Sequence, residues 1–136
     1  MSSVGPRKVA IAAYEGVSLL DLSGPLEAIR MASTHPNRST RGPVYDCTVV
    51  SVRGGIVTTA DGVGIVTQPV TTLDDSAIDT LIVAGACSVD DVFRDRELIE
   101  WLRRRAPAAR RHDIRISQSN RMQSTSRTDG SGRQLV

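Results

Sequence analysis

The 136-residue chain contains very few aromatic residues, only 3% of the total. The four rings are Tyr14, Tyr45, Phe93 and Trp101. So few rings argue against a protein that binds single-stranded nucleic acid by stacking bases on aromatic side chains. The hydrophobic core must instead be aliphatic, built from Val, Ile, Leu and Ala.

Cysteines and long apolar runs are also scarce. Cys47 and Cys87 are too few for a disulfide framework, and no Cys/His cluster has the spacing of a zinc site. No apolar run reaches the ~18 residues of a membrane helix, and the N-terminus carries no signal peptide. We therefore expect a cytoplasmic protein with no metal, no cofactor and no membrane partner.

The net charge of +2 is unevenly distributed along the chain. Residues 1–102 carry eight Lys or Arg and thirteen Asp or Glu, a net charge of −5, whereas residues 103–136 carry nine Arg and two Asp, a net charge of +7. An arginine cluster can bind phosphate. However, Arg103–Arg105 lie at the C-terminal end of a predicted helix, where positive charges interact favourably with the helix dipole. No recognition helix that could contact DNA bases is predicted after them. We expect no direct nucleic-acid binding by this chain.

Short apolar runs predict the strands. Residues 8–14, 45–52 and 79–84 show little alternation, which is typical of strands buried on both faces of a parallel sheet. Residues 56–58 and 64–67 flank an Asp-Gly turn signal and predict a hairpin. Because these strands alternate with helical segments, the fold class is α/β with helices on both faces of the sheet.

Two helical regions are predicted between the strands. After a turn at 18–22, a helix is expected at about 24–33, because Pro25 fits best in the first turn of a helix. A second helical region starts at Ser88, breaks at Asp95, which can cap a second helix, and ends by Pro107.

The C-terminal part departs from this pattern. Residues 113–117 are expected to form one more strand. Residues 118–136 have almost no apolar content and a Ser/Arg/Gly/Gln composition that predicts disorder. The expected organisation is a partial domain over residues 1–117 followed by a disordered tail over residues 118–136.

Three segments of the sequence resemble the DJ-1/PfpI superfamily, also called class I glutamine amidotransferase-like. They are residues 9–29, 45–55 and 79–107, and the most specific is GVSLLDLSGPLE at 16–27. The resemblance extends over roughly 7–111 and is strongest to the sensor halves of GlxA-type regulators of the AraC family. It implies a flavodoxin-like three-layer sandwich with a mainly parallel sheet.

The resemblance stops where the family places its nucleophile. In that family, a strand at this point ends in a sharp turn to a helix, the elbow, whose sequence is often Ser-Val-Cys-Thr-Gly-Ala. The cysteine of the elbow is the nucleophile in the enzymes. Residues 113–120 read DIRISQSN at that place, with no cysteine. The abrupt departure predicts a truncation or an altered reading frame near residue 111, and thus a fold that is incomplete at its C-terminus and lacks a helix-turn-helix domain.

Four residues are candidates for a ligand site through this resemblance. Asp21 matches the family's acidic residue that contacts the elbow cysteine, although it could instead cap the turn before Pro25. Gly85 and Ala86 stand where the family often has a Gly-Gly pair that offers backbone N–H groups to an anion, or they form a small-residue turn. Cys87 follows a strand and precedes a helix, a position that lowers a thiol pKa, but a small turn residue is the favoured interpretation.

The resemblance implies a sensor domain that binds a small-molecule ligand or forms a homodimer, without a DNA-binding domain of its own. We expect no enzyme activity and no catalytic residue, because the elbow cysteine is missing. Two alternatives stay open. One is an enzyme of the isonitrile-hydratase or amidase kind, and the other is a fragment without function.

Overall fold

A computed structural model gives the structure of the chain. It describes the backbone of residues 5–34, 44–73, 77–86, 88–109 and 111–114, and the side chains of these residues except 89, 92 and 111–114. The elements in chain order are β1 (Arg7–Ala12), α1 (Leu19–Thr34), β2 (Tyr45–Ser51), β3 (Gly55–Thr58), β4 (Gly64–Pro69), β5 (Thr80–Val83), α2 (Val89–Arg94), α3 (Arg96–Arg105) and β6 (Arg111–Ile114), with 3₁₀ turns at Val70–Leu73 and Ala106–Ala108.

The strands form one six-stranded sheet in the order β3-β4-β2-β1-β5-β6. All neighbouring strands are parallel except β3 and β4, which form the predicted antiparallel hairpin. The chain passes from β1 through α1 to β2 on one side, and from β5 through α2 and α3 to β6 on the other. Because such crossovers are right-handed, α1 and the α2–α3 pair cover opposite faces. The predicted flavodoxin-like α/β fold is confirmed.

The core is aliphatic, as the scarcity of rings requires. Strand β1 supplies its centre, with Ile11 and Ala12 fully buried, and α3 packs Leu98 and Trp101 against the sheet. Two of the four aromatic rings of the chain are buried in this core, namely those of Tyr14 and Trp101. Predicted strands at 8–14, 45–52 and 79–84 appear as β1, β2 and β5, within two residues at each end.

Helix α1 starts earlier than the sequence predicts. It begins at Leu19 and contains Pro25 in its interior, whereas the predicted helix began at about residue 24. An interior proline lacks the N–H that would bond the carbonyl four residues back, which disfavours such helices. Burial of Leu22 and a cap from the Ser18 side chain, whose Oγ lies 3.4 Å from the N atom of Asp21, offset that cost.

The last described strand, β6, pairs in parallel with β5 and occupies the edge where the additional strand is expected. It covers Arg111–Ile114 and therefore starts two residues before the predicted 113–117. Residues 115–117 and the predicted disordered tail at 118–136 lie outside the described residues, as does the predicted domain boundary between them.

Candidate functional site

The topology identifies one end of the sheet as the place for a site. Strands β1 and β5 are neighbours, and the chain leaves them towards opposite faces of the sheet. In open α/β sheets, ligands bind in the crevice outside the carboxyl ends of two such strands. Here that place, called the crevice below, is defined by the topology and lies between residues 13–21, which follow β1, and Ala84–Ala86, which follow β5.

Several hydrogen bonds hold the segment after β1 in place. Gly16 adopts a φ of +82°, a left-handed conformation that favours glycine, and its N–H donates to the carbonyl of Thr58 at 2.9 Å. The N–H of Ala60 donates to the carbonyl of Val17 at 3.0 Å. The hairpin tip thus positions the start of α1 at the crevice.

The two sides of the crevice are also bonded directly to each other. The N–H of Ser18 donates to the carbonyl of Gly85 at 2.8 Å, and Val17 forms an isolated antiparallel bridge with Ala86. The buried Tyr14 hydroxyl donates to the carbonyl of Ala84 at 2.7 Å. These contacts bring together Gly85, Ala86 and the first turn of α1, which are more than sixty residues apart in the chain.

Asp21 lies in that first turn. Its Oδ2 atom is buried and makes no hydrogen bond to any residue in the described part of the chain. The capping contact seen at this turn comes from the Ser18 side chain, whose Oγ accepts from the N–H of Asp21. That Asp21 itself caps the turn before Pro25 stays a prediction. A buried acceptor without a donor is unfavourable by roughly 1–3 kcal/mol, which sets this oxygen apart from the exposed carboxylates of the domain.

Gly85 and Ala86 are both buried. Gly85 uses its carbonyl to hold Ser18, and Ala86 is fully enclosed beside Val17, so a small residue is required at that point. These contacts favour the turn interpretation of the pair. The third predicted member of the site, Cys87, and the family's elbow position at 115–120 lie outside the described residues.

A second concavity adjoins the crevice and was not predicted from the sequence. It is an open cleft of about 720 Å³ at the carboxyl ends of β1 and β2, lined among others by Tyr14, Gly16, Arg53, Asp91 and Glu97. Across it, Nη2 of Arg53 lies 3.4 Å from Oε1 of Glu97. No local sequence signal could reveal this cleft, because its residues come from three separate segments of the chain, within 14–16, 51–57 and 91–97.

Two kinds of structure are absent from the described part of the chain. No three His, Cys, Asp or Glu side chains in the described ranges come close enough together to hold a metal ion. Within the same ranges, no helix is long and apolar enough to cross a bilayer.

Comparison with known proteins supports the fold. DJ-1beta from Drosophila melanogaster superimposes with a TM-score of 0.63 at 13% identity, covering 81% of this chain and 55% of that one. An AraC family transcriptional regulator from Pseudomonas putida gives 0.62 at 19% identity, with coverages of 80% and 64%. A ThiJ/PfpI family protein from Pseudomonas syringae gives 0.63 at 19% identity, with coverages of 81% and 42%. No family model and no curated protein matches the sequence.

The chain therefore has the α/β fold of the DJ-1/ThiJ/PfpI superfamily. The structures that share this fold include an AraC family regulator. The chain spans about half to two thirds of the length of the first two of these proteins and less than half of the third.

Proposed function

We propose that this domain is the ligand-sensing half of an AraC-type transcription regulator and acts in the cytoplasm. The observation that carries the proposal is the buried Oδ2 of Asp21, which has no hydrogen-bond partner among the described residues and lies in the first turn after β1. The likeness to the fold of a Pseudomonas putida regulator supports it. Binding of DNA is assigned to a separate helix-turn-helix domain, as in the regulators that the sequence resembles.

The chemistry of Asp21 indicates what the ligand must offer. An ionised carboxylate only accepts hydrogen bonds, so the ligand has to present N–H or O–H donors. The peptide backbone around the site is already engaged, since the Gly85 carbonyl is bonded to Ser18 and the Ala84 carbonyl to Tyr14. A small molecule with an amino, amide or hydroxyl group therefore suits the crevice.

Replacement of Asp21 is expected to abolish ligand binding with little loss of stability. Thermal unfolding is measured with a panel of free amino acids, alkylamines and primary amides. At roughly 100-fold excess over Kd, a bound compound raises the unfolding free energy by about 2.7 kcal/mol and the Tm by roughly 5–10 °C. Asp21→Asn is expected to remove this rise, because an amide cannot replace the anionic acceptor.

The matched control is Glu27→Gln, which neutralises an exposed acid on the same helix. It is expected to keep the full rise in Tm. If Asp21→Asn responds to the same compounds as the unmodified chain, or if no compound in the panel raises the Tm, the sensor proposal is wrong.

We further propose that the domain does not catalyse the hydratase or amidase reaction. Burial raises the pKa of the Cys47 thiol to about 11, so this thiol supplies almost no thiolate at neutral pH. Relative to the ordinary value of 9.0, its thiolate fraction is about 100-fold lower. Cys87 is then the remaining thiol of the chain.

Cys87→Ser is accordingly expected to change neither ligand binding nor stability measurably. A compound found in the thermal screen should be recovered unchanged after incubation with the domain, as followed by NMR. If the domain converts the compound chemically, and Cys87→Ser abolishes this conversion, the domain is an enzyme of the hydratase or amidase kind instead. A chain that binds nothing and shows no cooperative unfolding would be the fragment without function.

A further inference from the structure

The outer edge of β3 carries backbone groups that point away from β4. Strand β3 is the outermost strand on its side of the sheet. In an antiparallel pair, successive residues direct their N–H and C=O groups alternately towards the partner strand and away from it. The N–H of Thr59 donates to the carbonyl of Val63 on the β4 arm of the hairpin at 2.9 Å, so residues 55, 57 and 59 face β4. The backbone groups of residues 56, 58 and 60 therefore point outwards.

The segment that follows β1 occupies part of this outer edge. The carbonyl of Thr58 accepts from the N–H of Gly16 at 2.9 Å, and the N–H of Thr58 donates to Oε2 of Glu15 at 3.1 Å. The N–H of Ala60 donates to the carbonyl of Val17 at 3.0 Å. These bonds show that the outward groups of the hairpin hold a neighbouring segment of chain.

Ile56 continues the same row of outward groups into the open cleft. No residue in the described ranges forms a hydrogen bond with the outward N–H and C=O groups of Ile56. Ile56 lines the cleft of about 720 Å³ at the carboxyl ends of β1 and β2, and it is 70% exposed. Unpaired groups at a strand edge are a template for pairing with another extended chain. The cleft therefore offers a recognition site for a peptide backbone.

The side chain of Ile56 adds an apolar contact to this site. Ile56 lies directly opposite Val66 of β4, which is 74% exposed. Directly opposite side chains lie on the same face of a sheet, so these two form an exposed apolar row. A chain that pairs with the edge at Ile56 would place its own side chain next in this row. An aliphatic residue at that position gains a favourable cross-strand contact.

The size of the cleft restricts the kind of peptide that it can hold. Its volume falls in the range of about 300–1,000 Å³ that is typical of sites for small ligands. Residues 91–97 of α2 and α3 also line the cleft. It therefore suits a single, short, extended chain better than the edge of another folded domain, which brings a neighbouring strand with it.

The charges around the cleft do not favour a peptide of one sign. Nη2 of Arg53 lies 3.4 Å from Oε1 of Glu97, and Nη1 of Arg94 lies 3.2 Å from Oδ1 of Asp91. Each acid is thus balanced by a neighbouring base, and exposed pairs of this kind contribute little free energy. The backbone groups and the side chain of Ile56, not charge, define what the cleft binds.

From these observations we infer that the cleft binds a short, free peptide in extended conformation. The peptide pairs with the outer edge of β3 at Ile56 and places an aliphatic side chain beside that residue, which is recognition by addition of a strand. This inference does not rest on the proposed ligand of Asp21. Asp21→Asn is accordingly expected to bind the peptide as the unmodified chain does.

The first test is a titration of the isotope-labelled full chain with two blocked peptides, acetyl-Lys-Val-Thr-Val-Lys-amide and acetyl-Glu-Val-Thr-Val-Glu-amide, up to about 1 mM. Both are expected to shift the backbone amide signals of residues 53–57 in NMR spectra. Their dissociation constants should agree within about threefold, because the charges of the cleft balance. The matched control is each peptide with both valine amides N-methylated. It keeps the side chains but loses two backbone donors, and is expected to bind about tenfold more weakly.

The second test changes the edge of β3 itself. Ile56→Pro removes the outward N–H and is expected to weaken binding about tenfold, in a position where an edge strand tolerates proline. Ile56→Thr keeps the backbone but loses aliphatic contact, and is expected to raise the dissociation constant about two- to fivefold. Val63→Thr, at another exposed residue of the hairpin, is the matched control and should leave binding unchanged. If Ile56→Pro does not fold, as judged by circular dichroism, the N-methylated peptides decide, because they leave the domain unaltered.

Several outcomes would overturn the inference. One is that neither peptide shifts the signals of residues 53–57 at about 1 mM, and another is that the N-methylated peptides bind as tightly as the parent peptides. Shifts confined to residues 84–86 would place the peptide in the crevice instead. A dimer of the unmodified chain in analytical ultracentrifugation that Ile56→Pro dissociates would assign the edge of β3 to a second copy.

Discussion

Replacing Gly54 with alanine is expected to lower the unfolding free energy by about 2–4 kcal/mol. Gly54 adopts a φ of +71°, where a residue with a β-carbon is strained. In addition, a β-carbon built there lies 2.7 Å from both the N and Cδ atoms of Pro69. Because the N atom belongs to the backbone of β4, the clash can be relieved only if the end of that strand moves.

Two other glycines separate the contributions to this effect. Gly62→Ala has a φ of +81° but open space around the new carbon, so only the conformational strain of about 1–2 kcal/mol is expected. Gly24→Ala lies inside a helix with open space and is expected to stabilise the domain by about 0.5–1 kcal/mol. Urea unfolding followed by circular dichroism gives all three values. If Gly54→Ala and Gly62→Ala lower the unfolding free energy equally, the contact of the new β-carbon with Pro69 contributes nothing to the destabilisation.

Trp101→Ala is expected to lower the unfolding free energy by about 3–5 kcal/mol. Trp101 is 3% exposed and, with Leu98, joins α3 to the sheet. Its indole Nε1 is buried and has no hydrogen-bond partner within the described ranges. The ring therefore stabilises the fold through packing, and Trp101→Phe, which removes the unpaired N–H but keeps a ring, should cost clearly less than Trp101→Ala.

The control for this prediction is Phe93→Ala. Phe93 lies on α2, close in sequence to Trp101, but is 61% exposed, so its removal is expected to change the unfolding free energy by less than ~0.5 kcal/mol. Since Trp101 is the only tryptophan, unfolding is again followed by circular dichroism. A loss below ~1 kcal/mol for Trp101→Ala would mean that α3 is not packed on the sheet as described.

The sequence alone determined the strands and their order of appearance. Strands β1, β2 and β5 are short apolar runs paired in a parallel sheet, and such runs can be recognised without any knowledge of their neighbours. The predicted burial holds for most of β1 and, in β2, only for its last two residues. The hairpin and the helix break at Asp95 were likewise predictable, because turn and cap signals act within a few residues. The resemblance to a known superfamily added the fold, which the structure confirms.

Local signals were misleading where burial outweighs propensity. Pro25 predicted a helix that starts at about residue 24, yet α1 begins at Leu19, because the cap from Ser18 and the burial of Leu22 outweigh the missing hydrogen bond at an interior proline. A sequence signal that spans a few residues contains no information on the free energy gained when residues distant in the chain pack against that helix.

Only the tertiary structure decided which groups meet and which are left without a partner. Asp21 is one acid among many in the sequence, and it becomes chemically distinct only in the folded domain, where its Oδ2 is buried without a hydrogen-bond partner among the described residues. Which side of α1 faces solvent is equally undetectable in the chain order, because apolar residues occur on both sides of this helix. The sheet buries the side that carries Leu22 and leaves Leu20 and Met31 in solvent, since one layer of strands can cover only one face of a helix.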